Sequence, residues 1–448
     1  MRQEGAASYG RGMTSVQVAR PPGPDLGPLE LARLVRSRRF TDLVDRAHAH
    51  APRLAALRVA GGHLYLVGTP ELVRELFGPL GRVTVKGRGL EQARLLLGQG
   101  LLTSEGELHR RQRRVVQPAF HASRVAAYEE VMRAEAAALP ARAGWTDGTV
   151  TDLGADLAAL TLRIVGRTLF AADLDAESGR VAGALGELLQ RFGRVMVPGG
   201  VLLNRLPLPS TRRLEAAIAE LDDVVLAMIA RRRAGPPGDS VLDMLLAAPM
   251  SDRQVRDEVL TLMLAGHETT ATALAWTFLL LDQHPEAAAA LHAELDATPA
   301  GGPVTRAVLA ESMRLYPPSW IIGRRLTADV VLDGWTLPAG SLVAASQWVL
   351  HRDGRWWDAP TEFRPARWLG PDGYDEQAPG QPRGAYFPFG LGRRVCVGES
   401  FAWAEAVAVL ATLARDWTAT LLPGHPVAVR PAVTLRPRHG LPMTLHHR

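Results

Sequence analysis

Apolar residues recur at helical spacing along most of the chain. Residues 251–282 predict one helix of about 48 Å at about 1.5 Å per residue. The same periodicity predicts further helices at 107–139, 152–170, 222–233 and 398–415.

Strand-like patterns are shorter and lie towards the two ends of the sequence. They occur at 54–67, broken by two glycines, and at 427–445. Between the first run and the helices, Thr69 and Pro70 form an N-cap and first turn, and their helix extends to Leu76. Because strands and helices do not alternate regularly, the pattern favours a mainly helical α+β fold over a doubly wound sheet.

The longest apolar stretch, 259–281, is long enough to suggest a membrane span. His267 and Glu268 lie near its centre, where an acid would be costly in lipid, so we expect a buried helix and no transmembrane anchor. Residues 1–24 are rich in Gly, Ser, Pro and Arg and predict a flexible segment before a single domain at 25–448. Translation could begin at Met1 or at Met13.

Composition narrows the function classes. The chain has 448 residues, of which 47% are hydrophobic and 22% charged, so it can bury a sizeable core. The formal charge is +5, but no basic run is interleaved with aromatic residues, so we expect no binding to nucleic acid. A single cysteine cannot form an intramolecular disulfide, which is compatible with a cytoplasmic protein.

That cysteine, Cys396, lies in a loop rich in glycine. A lone cysteine is most simply a small buried apolar residue, but here glycines such as Gly390 and Gly398 let the backbone approach a flat ligand closely. A predicted helix follows at once, and its N-terminus and free N–H groups would stabilise a thiolate. Arg394 can pair with a carboxylate of the same ligand.

A second group of polar residues, 265–270, interrupts the long apolar helix. The zinc-protease pattern H-E-x-x-H fails, because Ala271 occupies the position of the second histidine. An ordinary core helix with a few polar residues is the simplest alternative. Ala265 and Thr269 share a helix face, so the threonine hydroxyl can bond the alanine carbonyl, while Glu268 can connect to solvent and resupply protons.

Together these motifs resemble the cytochrome P450 family. Residues 389–398 match its haem signature F-x-x-G-x-R-x-C-x-G, and 265–270 match its oxygen-activation motif A-G-x-[DE]-T-[TS]. The matches run in the expected order over about residues 106–398. The resemblance implies a large helical domain and a smaller β-rich region. Haem b would be buried between the long helix and the cysteine loop, with Cys396 as the axial iron ligand.

Further site residues follow from the same resemblance. Glu268 and Thr269 would be catalytic and deliver protons, and Ala265 would border the haem together with the loop residues Phe389, Gly390 and Gly398. Haem propionates would be bound by His109, Arg113, Arg324 and Arg394, with Arg325 a competitor of Arg324.

Glu311 and Arg314 are spaced to pair on one helix face, which in most proteins is only a surface ion pair. By resemblance they form a buried triad with Arg367 that supports the cysteine loop.

The resemblance also places a substrate pocket, at Ala265, Thr269, Ser319, Trp320 and Ile321 and along 88–101 and 181–206. Many of these residues are apolar, which favours an apolar substrate. Several segments resemble a thermophilic bacterial carotenoid hydroxylase, so we expect hydroxylation of a carotenoid ring or related isoprenoid. Fatty acids and small terpenes stay open as substrates, and a non-catalytic haem-based sensor is the alternative of another class.

Oxygenation of this kind uses O2 and electrons from another protein. No flavin or iron–sulfur domain is visible in the sequence, so the resemblance implies a separate ferredoxin and ferredoxin reductase. A basic docking face would comprise Arg110, Arg111, Arg114 and Arg393.

Overall fold

The computed structural model describes residues 20–27, 30, 33–34, 37, 39–59, 62–175, 177–195, 208–236, 238–376 and 380–448. The predicted flexible segment at 1–24 therefore lies mostly outside the described residues. Its last part is described and is held in place, because the carbonyl of Pro22 accepts a hydrogen bond from the N–H of Ala56 at 2.9 Å. The predicted boundary at residue 25 stays a prediction.

Helices make up most of the described chain, which confirms the mainly helical fold. They are α1 Phe40–His50, α2 Pro70–Phe77, α3 Arg88–Leu97, α4 Gly106–Val116, α5 Ala122–Ala143, α6 Leu153–Leu169, α7 Ser178–Val195, α8 Pro209–Ala234, α9 Val241–Ala247, α10 Asp252–Gln283, α11 Pro285–Ala297, α12 Pro303–Leu315, α13 Gln347–Leu350 and α14 Glu399–Asp416.

The strands form several small sheets. They are β1 Leu54–Val59, β2 Gly62–Val67, β3 Thr84–Lys86, β4 Val150–Asp152, β5 Ile322–Leu326, β6 Val330–Leu332, β7 Trp335–Leu337, β8 Leu342–Ala345, β9 Leu369–Gly370, β10 Gly373–Tyr374, β11 Trp417–Leu421, β12 Val429–Pro431, β13 Leu435–Pro437 and β14 Pro442–His447. The largest sheet has the order β1-β2-β8-β5-β3, with β2 and β8 parallel and the other neighbours antiparallel. A second sheet pairs β14 with β11 and β4.

The long helix α10 forms the centre of the core. Ser251 caps it by accepting a hydrogen bond from the N–H of Gln254 at 3.3 Å, and the helix then extends for 32 residues, as the periodicity predicts. Helices α6, α8 and α14 pack around it, so it is apolar on nearly every face. Among the described residues, none of the helices combines the length and apolar character that a bilayer span requires.

A buried carboxylate fixes the segment before the cysteine. Glu311 in α12 accepts two hydrogen bonds from the Arg314 guanidinium, each at 2.8 Å, and one from Arg367 Nε at 3.0 Å. The indole of Trp368 and the backbone N–H of Arg364 donate to the same carboxylate at 2.8 and 2.9 Å. All of its acceptor capacity is thus used inside the protein.

The same cluster holds the chain that leads to the cysteine loop. Arg314 Nη1 donates to the carbonyl of His351 at 2.7 Å, and His351 Nε2 accepts from the N–H of Phe387 at 3.0 Å. Tyr386 donates its hydroxyl to the carbonyl of Ala310, in α12, at 3.1 Å. Displacing Glu311 would therefore disturb the start of the loop that carries Cys396.

Replacing Glu311 by Gln should destabilise the protein strongly. The change leaves two guanidinium groups beside a neutral amide in the interior, and breaking such a buried pair costs about 3–5 kcal/mol. Urea unfolding at neutral pH measures the loss. The matched control is Glu362→Gln, which removes an exposed carboxylate that pairs with the exposed Arg364 and should cost less than about 0.5 kcal/mol. Equal losses in both variants would contradict the structural role of the Glu311 cluster.

Candidate active site around Cys396

The cysteine lies in a tight loop just before α14. The N–H of Cys396 donates to the carbonyl of Phe389 at 3.0 Å, which closes the loop on itself. Gly390 and Gly392 have φ values of +77° and +73°, in the left-handed region that favours glycine. A Cβ on Gly392 would also lie 2.1 Å from the carbonyl oxygen of Phe77, so this position requires glycine on steric grounds as well.

Gly398 differs from its neighbours in this respect. Its φ is −94°, an ordinary value, and a Cβ there would meet Phe120 at 3.5 Å, an ordinary contact. The backbone conformation at this position therefore does not require glycine, and the predicted close approach to a flat ligand stays a prediction. Its backbone N–H instead donates to the sulfur of Cys396.

The side chain of Cys396 keeps accessible surface, although protein atoms surround its sulfur densely. Burial, offset in part by the hydrogen bond from Gly398, raises the pKa of this thiol to about 11. Without a cation at the sulfur, the thiol form is therefore favoured. A metal bound there would hold it as a thiolate.

A second accessible patch occurs in the middle of α10. Ala265 is exposed and Gly266 and Thr269 are half-buried, although most of the helix around them is buried. Thr269 Oγ1 donates to the carbonyl of Ala265 at 2.7 Å, the bond expected from their spacing. The surface that this stretch offers to a ligand is thus made of small side chains.

Glu268, which was expected to connect to solvent, has little direct access to it. Its side chain is buried and its Oε1 accepts a hydrogen bond from Thr434 Oγ1 at 2.8 Å. The same oxygen forms an ion pair with Arg436. Sequence reasoning missed both partners, because they follow Glu268 by more than 160 residues and no local pattern connects them.

Basic side chains converge beside the cysteine loop. Burial, together with four neighbouring positive charges, lowers the pKa of His109 to about 3. Burial also lowers the pKa of Arg324 to about 10, with Arg394 contributing. The converging groups are Lys86, His109, Arg113, Arg324 and Arg394.

This cluster has more positive than negative charge. Glu105 forms an ion pair with Arg394, yet Nη1 of Arg394 is buried without a hydrogen-bond partner among the described residues. Buried unpaired cations are costly. A ligand with two carboxylates, such as haem with its propionates, fits the cluster and would satisfy it.

The alternation of side chains along strand β5 places Arg324 and Arg325 in different surroundings. Arg324 is buried in the cluster, with its guanidinium 5.2 Å from the ring centroid of Phe77. Arg325 points to the other face, as alternation along a strand requires, and pairs with Glu91. Arg324 is therefore the one available to a propionate, together with Arg113, which also donates to the carbonyl of Val395 at 2.9 Å.

Two members of the cluster were absent from the sequence prediction. Lys86 donates to the carbonyls of Leu101 and Ser104 at 2.8 and 2.7 Å, and burial lowers its pKa to about 7. Glu105 pairs with Arg394 and accepts from the N–H of Lys86 at 2.6 Å. One signal was present, since Lys86 is the only lysine in an arginine-rich chain.

The predicted pocket wall at 319–321 is only partly as expected. Ser319 and Ile321 are half-buried. Trp320 is a correction, because its ring is buried in the core that α1 forms with β1, β2 and β8, and its Nε1 donates to the carbonyl of Ala432 at 3.0 Å. A large indole with one donor is stable where the ring is dry and the N–H is paired.

Two longer stretches were also expected to line the pocket. In 88–101, the N–H of Leu101 donates to Glu258 Oε2 on α10 at 2.9 Å, which ties this stretch to the long helix. Of 181–206, residues 196–206 lie outside the described residues.

Known proteins resemble this chain both in sequence and in structure. The sequence model of the family "Cytochrome P450" matches residues 21–438. Cyclooctatin synthase from Streptomyces melanosporofaciens is 37% identical, over 91% of this chain and 92% of its own length. Pentalenene oxygenase from Streptomyces avermitilis is 36% identical, over 86% and 88%. The crystal structure of CYP175A1 from Thermus thermophilus superposes with a TM-score of 0.75 at 30% identity, over 93% and 97%.

The chain therefore belongs to the cytochrome P450 family and is a haem b-dependent monooxygenase. Members of this family hold haem through a cysteine thiolate, and this chain contains a single cysteine. A thiolate ligand supplied by this chain can only be Cys396.

The His109 environment predicts a pH dependence of the haem-free protein. Since its pKa is lowered from 6.5 to about 3, the unfolded chain takes up a proton between these values that the folded chain does not. The free energy of unfolding should fall as the pH is lowered through this range. In His109→Gln the fall should be shallower, whereas His50→Gln, at an exposed histidine, should follow the wild type.

Urea unfolding of the haem-free proteins at a series of pH values measures this difference. Parallel curves for wild type and His109→Gln would contradict the burial of a neutral imidazole in the basic cluster.

Proposed function

We propose that this chain hydroxylates a terpenoid, inserting one oxygen atom of O2 into an apolar carbon skeleton. Relatives covering most of the chain support the substrate class, among them pentalenene oxygenase and cyclooctat-9-en-7-ol 5-monooxygenase. Hydroxylation of a carotenoid ring, expected from motif resemblance, is the more specific prediction within this class.

One structural observation supports the proposal. Cys396 in its tight loop and the stretch of small residues in the middle of α10 both keep accessible surface. The stretch exposes a single hydroxyl, that of Thr269, and this hydroxyl is already bonded to Ala265. Such a surface favours an apolar ligand over a charged one.

Each chemical task of the reaction has a residue in this chain. When haem is bound through Cys396, it supplies oxygen activation, which electron donation from the thiolate promotes. Lys86, His109, Arg113, Arg324 and Arg394 would orient it by its propionates. Thr269, held by the Ala265 carbonyl, would offer its hydroxyl for proton delivery, and Glu268 is the nearest acid in sequence that can supply it with protons.

Electrons would come from a ferredoxin and its reductase in the cytoplasm. Arg110, Arg111, Arg114 and Arg393 are all exposed, which an acidic protein partner requires. Arg110 is paired with Glu107 on the same helix, so the other three are the stronger candidates for contact.

A turnover assay with labelled oxygen tests the substrate class. The haem-loaded enzyme is supplied with ferredoxin, ferredoxin reductase and NADPH under 18O2, and offered a cyclic sesquiterpene, a cyclic diterpene alcohol, β-carotene and a fatty acid. We expect a terpenoid product that carries one 18O atom. Oxidation of the fatty acid alone would overturn the substrate class, and ligand binding without any product would favour a sensor.

Thr269→Val should separate binding from catalysis. Valine keeps the shape but removes the hydroxyl, so haem binding should be retained while product formed per electron pair falls at least about tenfold. The control is Thr277→Val, which removes an equivalent hydroxyl bond, to Ala273 at 2.8 Å, two turns further along α10. Normal coupling in Thr269→Val would contradict the proton role.

A further inference from the structure

The partners of Glu268 both come from one hairpin, formed by β12 and β13. Thr434, buried at the turn, donates to Glu268 Oε1 at 2.8 Å, and Arg436 pairs with the same oxygen. Arg436 Nε also lies 3.4 Å from Thr434 Oγ1, so the three groups form one cluster. The hairpin therefore fixes one oxygen of this carboxylate.

The hairpin is itself anchored on two sides. The indole of Trp276, two turns after Glu268 on α10, donates to the carbonyl of Leu435 at 2.7 Å. On the other side, the N–H of Leu435 donates to Pro318 at 3.0 Å, and Trp320 donates to Ala432. The hairpin thus bridges the long helix and the segment that holds the predicted pocket residues Ser319 and Ile321.

Exposure differs sharply between the two charged partners. The side chain of Glu268 is 8% exposed, whereas that of Arg436 is 35% exposed. The arginine accordingly lies between the buried carboxylate and solvent. An acid that passes a proton inward must regain one from solvent, and here that path leads past Arg436.

We propose that Thr434 and Arg436 are positioning residues that hold Glu268 on the hairpin side of α10, and that movement of the hairpin frees it to supply Thr269. This inference rests on the proposed function, because it needs Glu268 to be the proton donor. In the step itself, Glu268 gives one proton towards Thr269 and takes one from solvent, so the residue is unchanged. Since the hairpin is bonded to the pocket wall, a bound substrate can trigger the movement.

A double-mutant cycle tests whether Arg436 acts through Glu268. In Arg436→Gln the product formed per electron pair should fall about tenfold, and in Thr434→Val about threefold, since bonds to a charged group are lost. In the Glu268→Gln background neither change should lower coupling further. The control Arg438→Gln, at an exposed arginine just beyond β13, should match the wild type. An equal fall in both backgrounds would overturn the proposal, as would normal coupling in Arg436→Gln.

Hydrogen exchange of residues 429–437 gives a readout that does not depend on turnover. Exchange in this segment should become several-fold faster in Arg436→Gln and in Glu268→Gln, but not in Arg438→Gln, because the ion pair between the hairpin and α10 is lost. Adding a terpenoid that shifts the haem spectrum should also accelerate it in the wild type. Unchanged exchange in both variants would overturn the positioning of Glu268 by the hairpin. Unchanged exchange on addition of the terpenoid would overturn the control of hairpin movement by substrate.

The two measurements separate this inference from the proposed function. If Glu268→Gln leaves coupling normal, Glu268 is not the proton donor. The positioning of Glu268 by Thr434 and Arg436 then has no role in catalysis, even if exchange shows that the hairpin contacts it. If Glu268→Gln impairs coupling but exchange and coupling are normal in Arg436→Gln, the proton role stands and only the positioning role fails.

Discussion

The structure depends on keeping a charged carboxylate, that of Glu311, in an interior from which water is excluded. Burial of one ion costs several kcal/mol, which is offset only if every lone pair finds a donor. Arg314, Arg367, Trp368 and a backbone N–H supply those donors from two separate stretches of chain. The carboxylate thereby fixes where the long irregular segment after α13 can lie, and that segment ends in the cysteine loop.

The basic cluster around His109 imposes a second constraint, because its charges are not balanced as those around Glu311 are. Around His109 the chain gathers more positive charge than it neutralises, and burial and mutual repulsion lower the pKa values of several members. A protein built only for stability would not bury more cations than carboxylates in this way. A cofactor with carboxylates would resolve the imbalance, so we expect the folding of this region and the binding of haem to be linked.

Much of the fold could be predicted from the sequence, because its main elements are encoded locally. The bounds of α10 follow from its periodicity and from Ser251, and the loop around Cys396 follows from closely spaced glycines. The spacing of Glu311 and Arg314 indicated a pair, although only family resemblance joined Arg367 to it. Each of these signals lies within a few residues along the chain.

What the sequence could not predict arises from contacts between distant segments. Thr434 and Arg436 reach Glu268 across more than 160 residues, and Glu105 reaches Arg394 across 289. The direction of Trp320 is likewise set by packing against other strands and not by its neighbours in sequence. Local patterns carry no information on such pairs, so the electrostatic partners of the site were the part most often missed.

The most direct test of the account is the absorption spectrum of the purified protein, reduced with dithionite and exposed to carbon monoxide. If Cys396 binds haem iron as a thiolate, the wild type will show the long-wavelength Soret band of a thiolate–haem–CO complex. Cys396→Ala, prepared in the same way, will lack this band. Well-folded wild-type protein that takes up no haem, or a long-wavelength band that persists in Cys396→Ala, would contradict the central claim.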